Sequence, residues 1–340
     1  MDQSESGTSE DENEIKDFLT RAEVHVEPGI TWEDVVGIKA ASEKIKEFLV
    51  LPVKFPKLFE GTNRPSCVGL LIYGPPGSGR TLLVQATINE LFTTCSNFLC
   101  YKLSAYDLLS RWLKNPLRIF KTMMETAKNQ EHSVVFIDDV DALCESTELC
   151  LNLKKEMDTQ LHSANPKTSK SFCLVGLSNK PWKIAEDKLL LQIFDIRIPT
   201  PLPNNVERCA IFKKQLDSAQ HSLQEEDIRK FGEMSVGMTG ADICSVARDS
   251  LLQPVRKVQA ATHFKQVCGP SGEGPNKTRD DLLTPCDQDD PGAIQMDWTR
   301  ISDPNMLASP VVTMDDVMKS LSAQKPSVRQ EELAMYELPM

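Results

Sequence analysis

The chain has 340 residues, long enough for two or three domains. With 40% apolar and 26% charged residues it has the composition of a globular protein, and its formal net charge of −11 excludes the broad basic face that wholesale nucleic-acid binding needs, though not a local basic pore. No apolar run reaches the ~18 residues of a membrane span, and the acidic start MDQSESGTSEDENEIK is not a signal peptide, so neither a transmembrane segment nor a leader is expected. The ten cysteines are scattered without a C-x-x-C pair, which predicts buried free thiols in a reducing, cytoplasmic setting.

In chain order, residues 1–28 read as a flexible acidic tail. Gly29 to Gly37 (GITWEDVVG) opens the ordered part, and 41–50 has helical spacing that Leu51–Pro52 is expected to end. Val68–Tyr73 (VGLLIY) is a nearly continuous apolar run, as in a strand buried on both faces. From Thr81 the run TLLVQATINELF is a helix former. Further strands are expected at Phe98–Leu103, Val134–Ile137 and Phe172–Leu177, with helices near 117–129 and 149–161 between them. That alternation predicts an α/β domain over 29–203, a parallel sheet flanked by helices on both faces. After the turn PTPLP (199–203) the pattern turns helical, at 206–216, 225–233 and 240–261. A Gly/Pro/Asp-rich stretch with two or three short strands follows over 268–293, then a helix over 313–323 with Thr313 as its N-cap. Residues 204–340 are thus expected to form a smaller helical domain.

Two stretches carry chemistry. GPPGSGRT (74–81) lies between the first expected strand and its helix, the context a phosphate-binding loop requires. Gly74, Gly77 and Gly79 let the backbone of Gly74, Pro75, Pro76, Gly77, Ser78 and Gly79 curl so that N–H groups meet phosphate oxygens. Arg80, Thr81 and Leu82 begin a helix whose positive end faces the same phosphates. Three glycines could make a mere turn, but a strand before and a helix after make phosphate binding the stronger reading. The second stretch is VVFIDD (134–139), whose Asp138 ends a strand where it can hold the Mg²⁺ of ATP, together with Thr81 of the loop. Acids at strand ends are common; the phosphate loop upstream is what makes this one a magnesium candidate.

TWEDVVG, LIYGPPGSGRT, VVFIDDVDAL, LSN (177–179) and GMTGADI (237–243) together resemble the AAA ATPases of the meiotic clade. Within that clade, QPVRKVQAATHF, DDLLTPC and DPGAI over 253–298 resemble the Vps-four type, the vacuolar sorting ATPases that dismantle ESCRT-III polymers. The resemblance covers about 29–325 and does not include an N-terminal MIT domain. It implies a P-loop NTPase sheet, a small domain with a β domain inserted at about 267–298, ATP or ADP with Mg²⁺ as cofactors, and a hexameric ring with nucleotide between neighbours. It also implies an ESCRT-III-like substrate, an activating protein at the β insertion, and peripheral recruitment to endosomal membranes. Residue by residue, Asp34, Val36 and Gly37 match the segment that holds adenine, and Gly240 and Ala241 the small-domain contact to nucleotide. Asn179 matches the sensor of the γ-phosphate, Asp139 the water-orienting acid, and Arg111, Trp112 and Leu113 the pore loop that grips substrate.

Three of these positions depart from the family. Arg80 replaces the loop lysine; its charge is kept, but its planar fork is longer than an ammonium and takes a different place. Asp139 is one methylene shorter than the usual glutamate, and a misplacement of about 1 Å costs about a hundredfold in rate. Leu191, Gln192 and Ile193 stand before Phe194 where the family places arginines that reach the neighbour's nucleotide, a contribution of about 10³–10⁵ in related transfers. Nucleotide binding with weak or lost hydrolysis is therefore expected. Two functional readings remain: a non-catalytic subunit or decoy in the rings of an active relative, and a low-activity ATPase that remodels ESCRT-III or another protein polymer.

Overall fold

The computed structural model describes residues 5–25, 29–59, 67–95, 97–110, 115–163, 171–217, 219–270, 278–301, 303–308 and 311–336. They fall into two compact units: the described residues of Met1–Pro203 with those of Val328–Met340, and those of Asn204–Ser327.

The first unit opens with helices α1 (Glu5–Ala22) and α2 (Lys39–Ile45), a π turn at Lys46–Val50 and α3 (Leu51–Lys54). It continues through β1 (Cys67–Tyr73), α4 (Arg80–Thr94), β2 (Phe98–Ser104), α5 (Ala105–Leu108), α6 (Pro116–Asn129) and β3 (His132–Asp138). Then come α7 (Thr147–Ser163), β4 (Ser171–Ser178), α8 (Pro181–Glu186), α9 (Lys188–Ile193) and β5 (Ile196–Pro199). The sheet order is β2-β3-β4-β1-β5 and every pairing is parallel.

The expected doubly covered sheet is present. Val68, Leu70 and Ile72 of β1 join Val134 and Phe136 of β3 and Leu83 of α4 in one core cluster. Leu71 joins Val135 and Ile137 of β3 and Leu174 of β4 in the other. Neighbouring residues on a strand point to opposite faces, so an unbroken apolar run is what two buried faces require. Gly69 serves the close approach of α9. A Cβ at that position would stand 1.8 Å from the carbonyl oxygen of Ile193.

Two expectations fail in this unit. Residues 5–22 of the expected flexible tail are helix α1. Its Ile15, Phe18, Leu19 and Ala22 recur at i, i+3, i+4 and i+7 and are buried or packed on the core, a helical stripe that the acidic composition hides. The chain then bridges Glu23 to Tyr101, and Val24 N–H donates to Cys100 O at 2.9 Å, closing part of the exposed edge of β2. Nor does Leu51–Pro52 end the second helix. The helical run continues from α2 through the π turn into α3, with Pro52 its second residue there.

The second unit comprises α10 (Asn205–Leu216), α11 (Glu225–Met234), α12 (Gly240–Ala260), β6 (His263–Pro270), β7 (Thr278–Cys286), β8 (Ile294–Gln295) and α13 (Met314–Ala323). Asn204 and Thr239 cap α10 and α12, each in a reciprocal box with the acid three residues on. Thr313 stands at the N-cap position of α13, as expected. Phe212 and Phe231 stack at 3.8 Å between α10 and α11. The β insertion is a small antiparallel sheet, β7-β6-β8, and it begins at His263 rather than near 267. The small domain does not keep the whole of 204–340: α14 (Gln330–Tyr336) belongs to the first unit, where the aromatic ring and hydroxyl of Tyr336 find partners. Among the described residues no helix is long and apolar enough to cross a membrane.

Gly69→Ala is expected to destabilise the chain by about 3 kcal/mol in denaturant unfolding, because the new methyl meets backbone rather than a side chain that can move. A change below about 1 kcal/mol would show that α9 is not held against β1 as described.

Candidate nucleotide site

The loop Gly74–Gly79 leaves the carboxyl end of β1 and enters α4. Gly79 is the N-cap of α4 at φ 92°, a conformation L side chains rarely adopt, and the Cδ1 of Ile38 lies 3.2 Å from where its Cβ would be. The segment Asp34–Gly37 is thereby brought beside the loop. Within that segment, Asp34 accepts from Thr31 N–H at 2.8 Å, closing a local turn. The loop is pinned from below: Ser78 Oγ and Thr200 Oγ1 are 2.9 Å apart, and Thr200 N–H donates to Tyr73 O at 2.7 Å. Pro76, Gly77 and Thr81 are exposed, Leu82 is half-buried, and the first N–H groups of α4 have no partners within the helix.

Strand register brings the other groups to the same edge. Tyr73 pairs with Ser178, and Ser104 with Asp138, so β1, β3 and β4 end level. Asp138 accepts from Asp139 N–H at 2.9 Å. Asp139 has φ 51°, a left-handed backbone that aspartate tolerates better than most residues. Its Oδ1 accepts from Asn179 Nδ2 at 3.2 Å. Lengthening Asp139 to glutamate would therefore place a less tolerant residue on that backbone as well as adding reach. Buried Asp141 accepts from Ser178 Oγ at 2.6 Å, fixing the turn before Asn179.

Arg80 lies in the middle of this cluster. Its guanidinium donates to the backbone oxygen of Ser178 and to Oδ1 of Asn179. Tyr336 of α14 donates its hydroxyl to Asn179 O, and its ring meets Trp182 of α8 edge-on at 5.3 Å. Burial lowers the Arg80 pKa, against the nearby charges of Asp138, Tyr336, Asp139 and Asp141. Burial likewise raises the Tyr336 pKa, although Arg80 opposes it. Asp139 is raised above the usual carboxylate range by burial and by Asp138 and Asp141, against Arg80 and the Asn179 hydrogen bond.

No group of three metal-ligating side chains occurs among the described residues. The Thr81 hydroxyl and the Asp138 carboxylate suit an ion that arrives with a nucleotide and keeps waters and phosphates as its other ligands, as Mg²⁺ does.

The three positions read as lost arginines do not share one environment. Leu191 is half-buried, Gln192 is exposed and accepts from Lys154, and Ile193 lies in the core at 3% exposure. Arg197 turns back on α9: its Nε donates to Phe194 O at 3.3 Å and Nη2 to Leu191 O at 3.2 Å, a cation on the last carbonyls of a helix. Gly240 and Ala241 open α12 in the second unit, where Asp242 also accepts from Ser327 N–H at 3.2 Å. Arg111, Trp112 and Leu113 lie outside the described residues. The sequence does not single out Thr200, Asp141 and Tyr336: each meets the site through a partner distant in the chain, and no local motif or period marks it.

A phosphate loop after β1, a polar residue after the adjacent β4 and an acid ending β3 beyond it, all at one edge of a parallel sheet, define the P-loop NTPase class of site. The comparisons give the family. The model of the "ATPase family associated with various cellular activities (AAA)" matches residues 70–202, and that of the "Vps4 C terminal oligomerisation domain" matches 283–338. Human vacuolar protein sorting-associated protein 4A is 38% identical over 96% of this chain and 74% of its own length. The Dictyostelium discoideum vacuolar protein sorting-associated protein 4 is 35% identical over 94% and 71%. A solved FIGL-1 AAA domain in complex with ADP shares the fold, with TM-score 0.66 at 22% identity, covering 95% of this chain and 94% of that one. The chain belongs to the Vps4 group of AAA ATPases.

Two outcomes follow from this geometry. Ile193→Arg is expected to lower stability by about 3 kcal/mol or more, since it buries an unpaired charge, whereas Gln192→Arg is expected to stay within about 0.5 kcal/mol; thermal unfolding of both variants checks this, and equal effects would contradict it. The second concerns pH. A carboxyl whose folded pKa is raised contributes its stability below the unfolded pKa and loses it as pH rises through the folded pKa, so ionised Asp139 opposes folding at neutral pH. Asp139→Asn keeps an acceptor for Asn179 and suits the left-handed backbone. It is expected to melt higher than the parent chain at about pH 7.5, with the gain shrinking towards about pH 4.5. A gain that grows on acidification would contradict the assignment.

Proposed function

We propose that this chain binds ATP or ADP with Mg²⁺ as a Vps4-type AAA module, that its own hydrolysis is weak or lost, and that it acts by entering the rings of an active relative. The observation that carries the reading is the finger segment. Its exposed position is Gln192, its neighbour Ile193 is core, and the arginine nearby, Arg197, is folded onto the carbonyls of α9. A neighbouring subunit's nucleotide would meet no guanidinium there, which removes a contribution of about 10³–10⁵ in rate.

The phosphate loop supports nucleotide binding. Its glycines, the first turn of α4, Thr81 and Asp138 keep the arrangement the chemistry needs. The ADP bound by the FIGL-1 domain of similar fold supports the same cofactor here. Gly240 and Ala241 are carried over as further nucleotide contacts by the family resemblance alone. The match to an oligomerisation domain over 283–338 supports assembly, and the relatives are named for vacuolar protein sorting; ESCRT-III-like polymers as substrate and endosomal membranes as the place of recruitment follow from the family resemblance. The antiparallel sheet β7-β6-β8 is the surface for an activating protein, and Arg111, Trp112 and Leu113 the grip on threaded substrate.

A ring site is shared between two subunits. One inserted copy therefore harms two sites: its own, through Arg80 and Asp139, and the one it completes, through Leu191 and Gln192. Titrating the chain into a fixed amount of an active Vps4 homologue is expected to lower ATPase activity faster than the mole fraction added, with the two proteins co-eluting in ATP. A flat response with no co-elution would rule out the ring reading; a rise in activity would favour a low-activity ATPase rescued by its neighbours.

A further inference from the structure

We infer that Arg80 makes this site selective for nucleoside diphosphates over triphosphates, with Tyr336 holding in place the acceptors that Arg80 grips. The inference deepens the nucleotide-binding reading above and rests on it.

A loop lysine offers a mobile point charge to the β- and γ-phosphates. Arg80 is not mobile in that sense. One N–H is taken by the backbone oxygen of Ser178, a fully buried residue, and another by Oδ1 of Asn179. The Asn179 side chain is in turn used at both ends, because its Nδ2 donates to Asp139. The cation and the sensor amide that a terminal phosphate would call upon are thus bonded to each other and to an acid. For Arg80 to reach a γ-phosphate it must abandon two charge-assisted hydrogen bonds, one of them to an acceptor that water does not reach.

The acceptors cannot follow the arginine outward. The backbone oxygen of Asn179 is held by the Tyr336 hydroxyl, and Tyr336 is braced by Trp182. Ser178 is fixed through its side chain to Asp141 and through its backbone oxygen to Gly74 N–H at 3.3 Å. If Arg80 stays where it is, a third phosphate brings its negative charge beside Asp138 and Asp139 with no freed cation to offset it, so the triphosphate is disfavoured against the diphosphate. The α- and β-phosphates depend on the loop backbone and the start of α4, neither of which is altered by where the Arg80 side chain points.

The experiment is an equilibrium titration of the full chain with Mg²⁺–ADP and with a Mg²⁺-bound, non-hydrolysable ATP analogue, on the parent protein and on Arg80→Lys. The parent is expected to bind the diphosphate at least about tenfold more tightly, and Arg80→Lys to bring the ratio to about one or reverse it. Circular dichroism confirms that the variant is folded. Should it not fold, Arg80→Ala replaces it, with the same expected collapse of the ratio. A parent chain that binds the triphosphate as tightly as the diphosphate would overturn the inference while leaving nucleotide binding intact. So would an Arg80→Lys variant with an unchanged ratio. Binding of neither nucleotide by folded parent protein is the separate result that overturns the nucleotide reading, and this inference with it.

Discussion

The register of β1 between β4 and β5 is the constraint on which the rest of the first unit depends. Tyr73 pairs with Ser178 on one side and with Pro199 on the other, so the phosphate loop, Asn179 and Thr200 emerge level at one edge of the sheet. The pairing of β4 with β3 adds Asp138 and Asp139 to that edge. Slipping any of these strands by one residue would turn its apolar set to the wrong face, and both faces are buried, so the register is strongly specified by the cores. Polar groups at the edge inherit their spacing from apolar ones that never touch a ligand.

That separation explains how the chain combines a sound fold with an altered site. The residues that set the sheet, Leu70, Leu71, Ile72, Val135, Phe136 and Leu174, are close-packed and buried. The departures lie on the edge those residues support. They are also connected to one another: Arg80 bonds Asn179, Asn179 bonds Asp139, and Asp139 sits on a left-handed backbone that suits aspartate. Changes linked in this way are not additive, so restoring one residue to the family type does not return a fixed share of the rate.

How far the sequence revealed this depends on the kind of signal. The buried strands were legible because a parallel sheet with two covered faces leaves an unbroken apolar run, and the phosphate loop because glycines between a strand and a helix have a backbone reason to be there. β5 was not legible: IRIP is short and is partly masked by the segment read for its missing arginines. α1 was hidden by acidic residues on its solvent side, although Ile15, Phe18, Leu19 and Ala22 carried the helical period. α14 returns to the first unit after the chain has passed through the second, a long-range contact with no local signature. Within the site, residue identity showed that Arg80, Asp139 and Ile193 were unusual. It did not show where they point. That Ile193 is core, that Arg197 closes the end of α9 and that Arg80 faces Asn179 are facts of side-chain direction, and direction follows from packing.

The central proposal is that a well-formed phosphate cradle here supports phosphoryl chemistry weakly or not at all by the chain alone. Single-turnover incubation of the purified protein in excess over radiolabelled ATP, with released phosphate followed over time, tests it most directly. The account predicts release at most marginally faster than from an Asp138→Ala control. Release clearly above that control, and abolished by the Asp138 substitution, would show that the site still turns over on its own and would contradict the account.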